Sequence, residues 1–234
     1  SQPSRAVAEA PPLEPRPEAV RTLPQWLICA ASDAPEAGIV YVAADGSEDR
    51  RSYADVLAAA GRRLKALRER GLSPGQKVVL LIRNTHEFVE LFWGCILGGM
   101  VPVLLPPPKG EAVGDDDLRD SSDTQRLAAV WKKLDCPPLI VPEPLERLRD
   151  AVSAIAGQEV SLWWTPADIE SSVEDSRWHL RAPSSTAFLL FSSGSTREPQ
   201  GVQVTHDNVW ANVQATCQHN GFGAENAALC WAPL

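Results

Sequence analysis

The densest run of groups able to bind or transfer something is Ser192-Ser193-Gly194-Ser195-Thr196-Arg197-Glu198-Pro199-Gln200-Gly201. Small residues let backbone amides come close to a ligand, and glycines at 194 and 201 admit positive backbone angles. The hydroxyls of Ser192, Ser193, Ser195 and Thr196 can donate hydrogen bonds, and Arg197 adds a planar cation. This is chemistry for an anion, above all a polyphosphate. A hydrogen bond to a charged group contributes about 1.5–3 kcal/mol, so several together hold a triphosphate. The spacing is not G-x-x-x-x-G-K-[ST], and no Ser is flanked by glycines two residues away on both sides, which excludes a Walker loop and a nucleophile elbow. On composition alone, a plain turn and a phosphate site are equally open.

Other candidate groups carry less. Asp115-Asp116-Asp117 follows Pro106-Pro107-Pro108 and Gly110 and reads as a solvated acidic loop, since no helper ligands surround it. Cys29, Cys95, Cys136, Cys217 and Cys230 form no C-x-x-C pair, and their number is odd. They read as reduced core thiols rather than zinc ligands or disulfides. Trp178 and His179 lie in a polar stretch and receive no role. No catalytic residue and no metal ligand is assigned.

The elements that must position the loop alternate. Ser52 and Asp55 make a capping signal ahead of Val56, Leu57, Ala60, Leu64 and Leu67 on one helical face, with Gly71 at the end. After the Pro74-Gly75 turn, Val78–Ile82 reads as a strand buried on both faces. Asn84 and Glu87 cap an apolar helix over Phe88–Leu97, ended by Gly98-Gly99, and Val101–Leu105 is the next strand. Further on, the pattern predicts a helix over Asp123–Leu134, a strand at Leu139–Val141 and a helix from Pro144 bearing Leu145, Leu148, Val152 and Ile155. A strand at Ser161–Trp164 follows. Around the loop, Ala187–Phe191 and Val202–Val204 are strands and a helix begins near Asp207. Strand–helix–strand units of this length give an α/β fold with a mainly parallel sheet flanked by helices. Residues 1–24, with prolines at 3, 11, 12, 15, 17 and 24, read as a linker or arm ahead of a domain over 25–234.

With 234 residues, 44% of them hydrophobic, the chain has the material for a real core. A formal charge of -8 argues against nonspecific nucleic-acid binding. The most apolar stretch is too short to span a bilayer, and residues 1–24 lack a basic-then-apolar signal pattern. A cytoplasmic protein is expected.

The stretch FSSGSTREPQGVQVTHDN (residues 191–208) resembles the phosphate-binding signature of the adenylate-forming superfamily, which includes acyl-CoA synthetases, peptide-synthetase adenylation domains and fatty acyl-AMP ligases. SYADV, GLSPGQKVVLLIRN and EFVELFWGCILGGMVPV, within Ser52–Leu105, resemble the family's opening region, and the final CWAPL resembles the start of its next segment. The resemblance implies that Ser192, Ser193, Gly194, Ser195, Thr196, Arg197, Gln200 and Gly201 bind ATP phosphates. It implies ATP and Mg as cofactors. It also implies that residues 25–234 are the N-terminal part of the large domain, with the adenine, ribose, Mg and catalytic-Lys segments beyond residue 234 and this chain alone inactive. Two positions depart from the pattern. Arg197 stands where most members have Gly, and Gln200 where most have the loop Lys. Together with GCILGGMVPV these look like the fatty acyl-AMP ligase branch of assembly lines. The implied partners are a carboxylic acid, an acyl or peptidyl carrier protein and the rest of the same domain. A noncatalytic α/β module that binds a nucleotide or a partner is the alternative.

Overall fold

An apolar run without polar alternation can sit still only in a strand covered on both sides, and Val78–Ile82 does so. In the computed structural model, which describes residues 20–107, 118–142, 146–192 and 199–230, all five of these side chains are buried. Val79 and Leu81 join one apolar cluster with Leu127, Trp131, Leu148 and Val152. Val78, Leu80 and Ile82 join a second with Leu64, Leu67, Leu91 and Leu97. The sheet therefore lies between two helical layers, as the sequence predicts.

In chain order the described elements are α1 (Leu23–Asp33), β1 (Gly38–Val42), β2 (Glu48–Ser52), α2 (Tyr53–Glu69), β3 (Lys77–Leu80), α3 (Thr85–Leu97) and β4 (Val101–Leu104). There follow α4 (Ser122–Lys133), β5 (Leu139–Ile140), α5 (Glu146–Ala156), β6 (Trp163–Trp164), β7 (Thr186–Ser192), β8 (Gln200–Thr205) and α6 (His206–Asn220). The main sheet has the order β6-β5-β3-β4-β7-β8. Neighbours are parallel from β6 to β7, and β8 returns antiparallel beside β7. The two helical layers are α2 with α3 on one face and α4 with α5 on the other.

Local chemistry explains the helix starts. Ser52 accepts from the Asp55 amide at 3.1 Å while the Asp55 carboxylate takes the Ser52 amide at 2.9 Å, a reciprocal cap for α2. Asn84 accepts from the amides of His86 and Glu87 at the start of α3. Where α2 meets α3, a Cβ on Gly94 would lie 2.9 Å from Arg63 Cβ and 3.2 Å from the Ala60 carbonyl, so only glycine permits this approach. Arg63 is buried there and bound to Glu90 and to the carbonyls of Pro166 and Ile169.

Several expectations need adjustment. Strands β1 and β2 form a separate antiparallel hairpin that the sequence reading left unassigned. Pro24 lies inside the first turn of α1, where a missing amide costs nothing. Ile155 is 37% exposed, because Leu148, Val152 and Ala156 centre the buried face of α5 and leave Ile155 at its rim. All five cysteines are free thiols, but only Cys95 is fully buried and Cys230 is exposed. Burial pushes the Cys95 thiol up to about 12, so it stays protonated. Pro144, Leu145 and Asp115–Asp117 lie outside the described residues.

Candidate phosphate-binding site

Strands β4 and β7 are parallel, so the carboxyl end of β7, where the Ser192–Gly201 segment begins, lies on the same sheet edge as the carboxyl ends of β3 and β4. In open parallel sheets ligands bind outside this edge. At its base β7 and β8 pair as a hairpin, Ser192 with Gln200 and Phe191 with Gly201. Of the eight expected site residues, Ser193, Gly194, Ser195, Thr196 and Arg197 lie outside the described residues, as does the Ser192 side chain. Gln200 and Gly201 begin β8 and are exposed.

Gly201 matters here through close approach rather than through its backbone angle. It is absent from the glycines with positive φ. Instead, the Phe191 ring lies across it, and a Cβ there would meet Phe191 Cζ at 2.9 Å. This close approach across the strand pair sets the base of the loop.

Helix α4 holds both ends of the loop. Arg126 Nη2 donates to the Phe191 carbonyl at 2.8 Å, and Lys133 Nζ donates to the Pro199 carbonyl at 3.2 Å. Neither residue was singled out by the sequence, which gives no sign that a helix more than sixty residues earlier reaches the loop. Their spacing on one helical face was the available signal.

The other exit from β8 is fixed as firmly. Thr205 and Asn208 cap α6 reciprocally, at 3.1 and 3.0 Å. His206, only 2% exposed, accepts from the Leu23 amide through Nδ1 at 3.3 Å. Burial, then the nearby Arg181 charge, holds the His206 imidazole below its ordinary pKa, which suits an acceptor nitrogen. Arg21 binds Asp207 at 2.7 Å and lies over the Trp210 ring at 5.2 Å. The start of α1 therefore braces the helix that follows the loop.

Among the described residues no group of three or more His, Cys, Asp or Glu side chains could hold a metal ion. No helix there is long and apolar enough to cross a membrane. His179 is exposed, and its backbone amide donates to the Leu97 carbonyl.

A mainly parallel α/β sheet flanked by helices is the architecture of adenylate-forming enzyme domains. The chain belongs to the AMP-binding enzyme family, whose model matches residues 30–234. It is 31% identical over 208 residues to the phenyloxazoline synthase MbtB of Mycobacterium tuberculosis, covering 87% of this chain and 13% of that protein. It is 24% identical over 161 residues to the medium-chain-fatty-acid–[acyl-carrier-protein] ligase JamA of Moorena producens, covering 68% of this chain and 26% of JamA. Among solved structures, the adenylation domain of a keto acid-selecting peptide-synthetase module bound to a keto acyl adenylate superposes with a TM-score of 0.79 at 27% identity. That match covers 92% of this chain and 39% of the other. A fatty acyl-adenylate ligase from a study of the E. coli and L. pneumophila enzymes gives 0.69 at 28%, over 84% and 34%. The chain thus spans well under half the length of each of these relatives.

Proposed function

We propose that this chain is the N-terminal part of an ATP-dependent ligase that adenylates a carboxylic acid, a fatty acid in the first instance, and loads it onto the phosphopantetheine thiol of a carrier protein. The observation that supports the reading is that the two ends of the Ser192–Gly201 segment pair at the carboxyl edge of the parallel sheet, where cations of α4 bind the carbonyls of Phe191 and Pro199. In the first step a carboxylate oxygen attacks the α-phosphorus of ATP. The bond to the β-phosphate oxygen breaks and pyrophosphate leaves. In the second, the thiol attacks the acyl carbon and AMP leaves. Ser192, Ser193, Ser195, Thr196 and Arg197, with the amides at Gly194, Gln200 and Gly201, would hold the β- and γ-phosphates and offset charge as pyrophosphate departs. Mg would accompany ATP, with ligands from beyond this chain.

The fatty acid and carrier assignments rest on Arg197, Gln200 and the GCILGGMVPV segment, and the names of JamA and of the fatty acyl-adenylate ligase support them. Leu190, Val202, Val213, Phe222 and Leu229 are exposed on or near β7, β8 and α6, and the remaining part of the adenylation domain would cover them. The reaction belongs in the cytoplasm, where ATP is present and free thiols stay reduced.

The test uses the complete ligase. Thr196→Ala and Arg197→Ala are expected to lower kcat/KM for ATP in pyrophosphate exchange by about tenfold or more, roughly 1.4 kcal/mol of transition-state stabilisation. Unchanged exchange in both variants refutes the loop assignment. Competition between carrier protein and CoA over a panel of acids, read by mass spectrometry, decides the acceptor. Efficient acyl-CoA formation overturns the carrier assignment, and preference for an amino acid overturns the fatty one.

A further inference from the structure

An amide at the first position of a helix has no acceptor within that helix. At the start of α1, Pro24 brings no amide, and the Gln25 side chain takes the amides of Arg21 and Thr22, each at 3.1 Å. The Leu23 amide belongs to a residue only 6% exposed, and its acceptor is His206 Nδ1 at 3.3 Å. His206 is the first residue of α6, 183 positions away in sequence. One imidazole therefore joins the starts of two helices. Arg21 adds a second tie at the same place, with its guanidinium on Asp207 at 2.7 Å and over the Trp210 ring at 5.2 Å. The amides of His206 and Asp207 donate to the Ser185 and Pro183 carbonyls, which fixes the backbone that carries the ring.

Nδ1 can accept only while the ring is neutral and carries its proton on Nε2. A proton on Nδ1 would set two donors against each other in a buried contact. The surroundings also oppose a charge there. Among the described residues the charged groups that face the ring are Arg181, ahead of β7, and Asp207. Arg21 already binds the Asp207 carboxylate, and the amino end of α6 repels a cation. The first turn of α1 offers no acidic residue.

We propose that His206 is an acid-sensitive clasp, in which the neutral imidazole locks the start of α1 onto the start of α6 and protonation releases residues 21–24 from α6. His206 is thus a positioning residue for the junction where β8 turns into α6, and it acts through the Leu23 amide. The clasp does not depend on what the Ser192–Gly201 segment binds. Burial and then Arg181 hold the imidazole below its ordinary pKa. A histidine of this kind contributes its full stability above the unfolded value of about 6.5, and the contribution is lost as pH falls from there through the folded value. The clasp is closed at neutral pH and opens in acid.

The test is hydrogen–deuterium exchange in the complete ligase, read by mass spectrometry on the peptide that contains Leu23. It runs from about pH 7.5 down to about pH 4.5, with each rate divided by the intrinsic rate at that pH. The Leu23 amide should be protected at the upper end and lose about tenfold or more of that protection at the lower end. His206→Asn keeps an acceptor near the place of Nδ1 and removes the titration, so its protection should persist in acid. Arg181→Gln removes a neighbouring positive charge and should move the acid step to higher pH. Arg21→Ala should lower protection at every pH and keep the step, because the titrating ring remains. The same acid step in the parent protein, His206→Asn and Arg181→Gln would assign it to other groups and overturn the clasp. A Leu23 amide that exchanges freely in the parent protein at neutral pH would overturn it too.

Discussion

The β3–α3–β4 unit and the outer end of the β7–β8 hairpin belong to one sheet and are held in different ways. In the first, Val78, Val79, Leu80, Leu81, Leu91, Leu97 and Val103 are all essentially without solvent contact. In the second, Leu190 is 41% exposed, Val202 is 52% exposed, and Gln200 and Gly201 lie in the open. The hairpin is anchored in the core by Ala187 and Leu189 of β7, and its exposed end keeps its place through ladder hydrogen bonds, two cationic donors from α4 and the capped, braced start of α6. Burial positions the frame, and a few charge–dipole contacts position the loop. A site that must accept and release a charged ligand is drawn from the second kind of region. Its energetics should therefore respond to single polar atoms, while the frame should respond to volume.

The sharpest way to test this contrast is at the frame. Leu64 is wholly buried between α2 and α3, and truncating it leaves a cavity. Leu64→Ala should cost about 2–5 kcal/mol in denaturant unfolding. A loss below about 1 kcal/mol would mean that the two helices close over the gap, and that the frame is as adaptable as the hairpin.

Next in size is a polar lock within the frame. Asp175 is buried and accepts from Arg177 and from Arg68 of α2. The hydrogen bonds from Arg177 come first in holding its carboxyl well below the usual carboxylate range, against the opposing effect of burial, and Arg68 adds to them. A depressed folded-state pKa stabilises the fold above the unfolded value of about 3.9, and the contribution fades as pH falls from there toward the folded value. Asp175→Asn should therefore lower stability by about 1–3 kcal/mol at neutral pH. The gap from the parent protein should narrow below about pH 4. A gap that stays constant down to pH 2 would show that packing, and not the charge, is what Asp175 contributes.

The frame was also the legible part. Period, caps and glycine stops placed β3, β4 and α4 within a residue or two, and found the Asn84 cap and the end of α3 while starting that helix at Phe88 rather than Thr85, because burial on two faces writes a continuous apolar run that nothing else explains. The β1–β2 hairpin escaped because its second strand, Glu-Asp-Arg-Arg-Ser, is charged and mostly exposed. Its pairing is carried by the backbone, which leaves no trace in hydropathy. For the site, the Ser192–Gly201 run was visible as chemistry. The roles of Arg126, Lys133 and His206 were not, since each acts through a contact with a residue distant in sequence. Gly201 was visible as a residue but misread in cause, because the Phe191 ring that packs across it is a cross-strand neighbour.

The smallest effect separates the regions most cleanly, because it removes the same atom in each. Ser52 and Thr205 both accept from the amide three residues on, at 3.1 Å, and both have a reciprocal partner, Asp55 and Asn208. Each hydroxyl satisfies one otherwise unpaired donor at a helix start, so Ser52→Ala and Thr205→Ala should each cost about 1 kcal/mol in unfolding. The caps are equivalent in energy and unequal in position. Ser52 begins α2, within the frame, whereas Thr205 ends β8, the strand that leads out of the loop. Loosening the start of α6 frees the far end of β8 and with it the register of Gln200 against Ser192. Thr205→Ala should therefore raise the KM for ATP in the complete ligase about twofold to fivefold, and Ser52→Ala should leave it unchanged. Equal kinetic effects from the two variants would mean that the hairpin is positioned by global stability alone, and the contrast between frame and loop would fall.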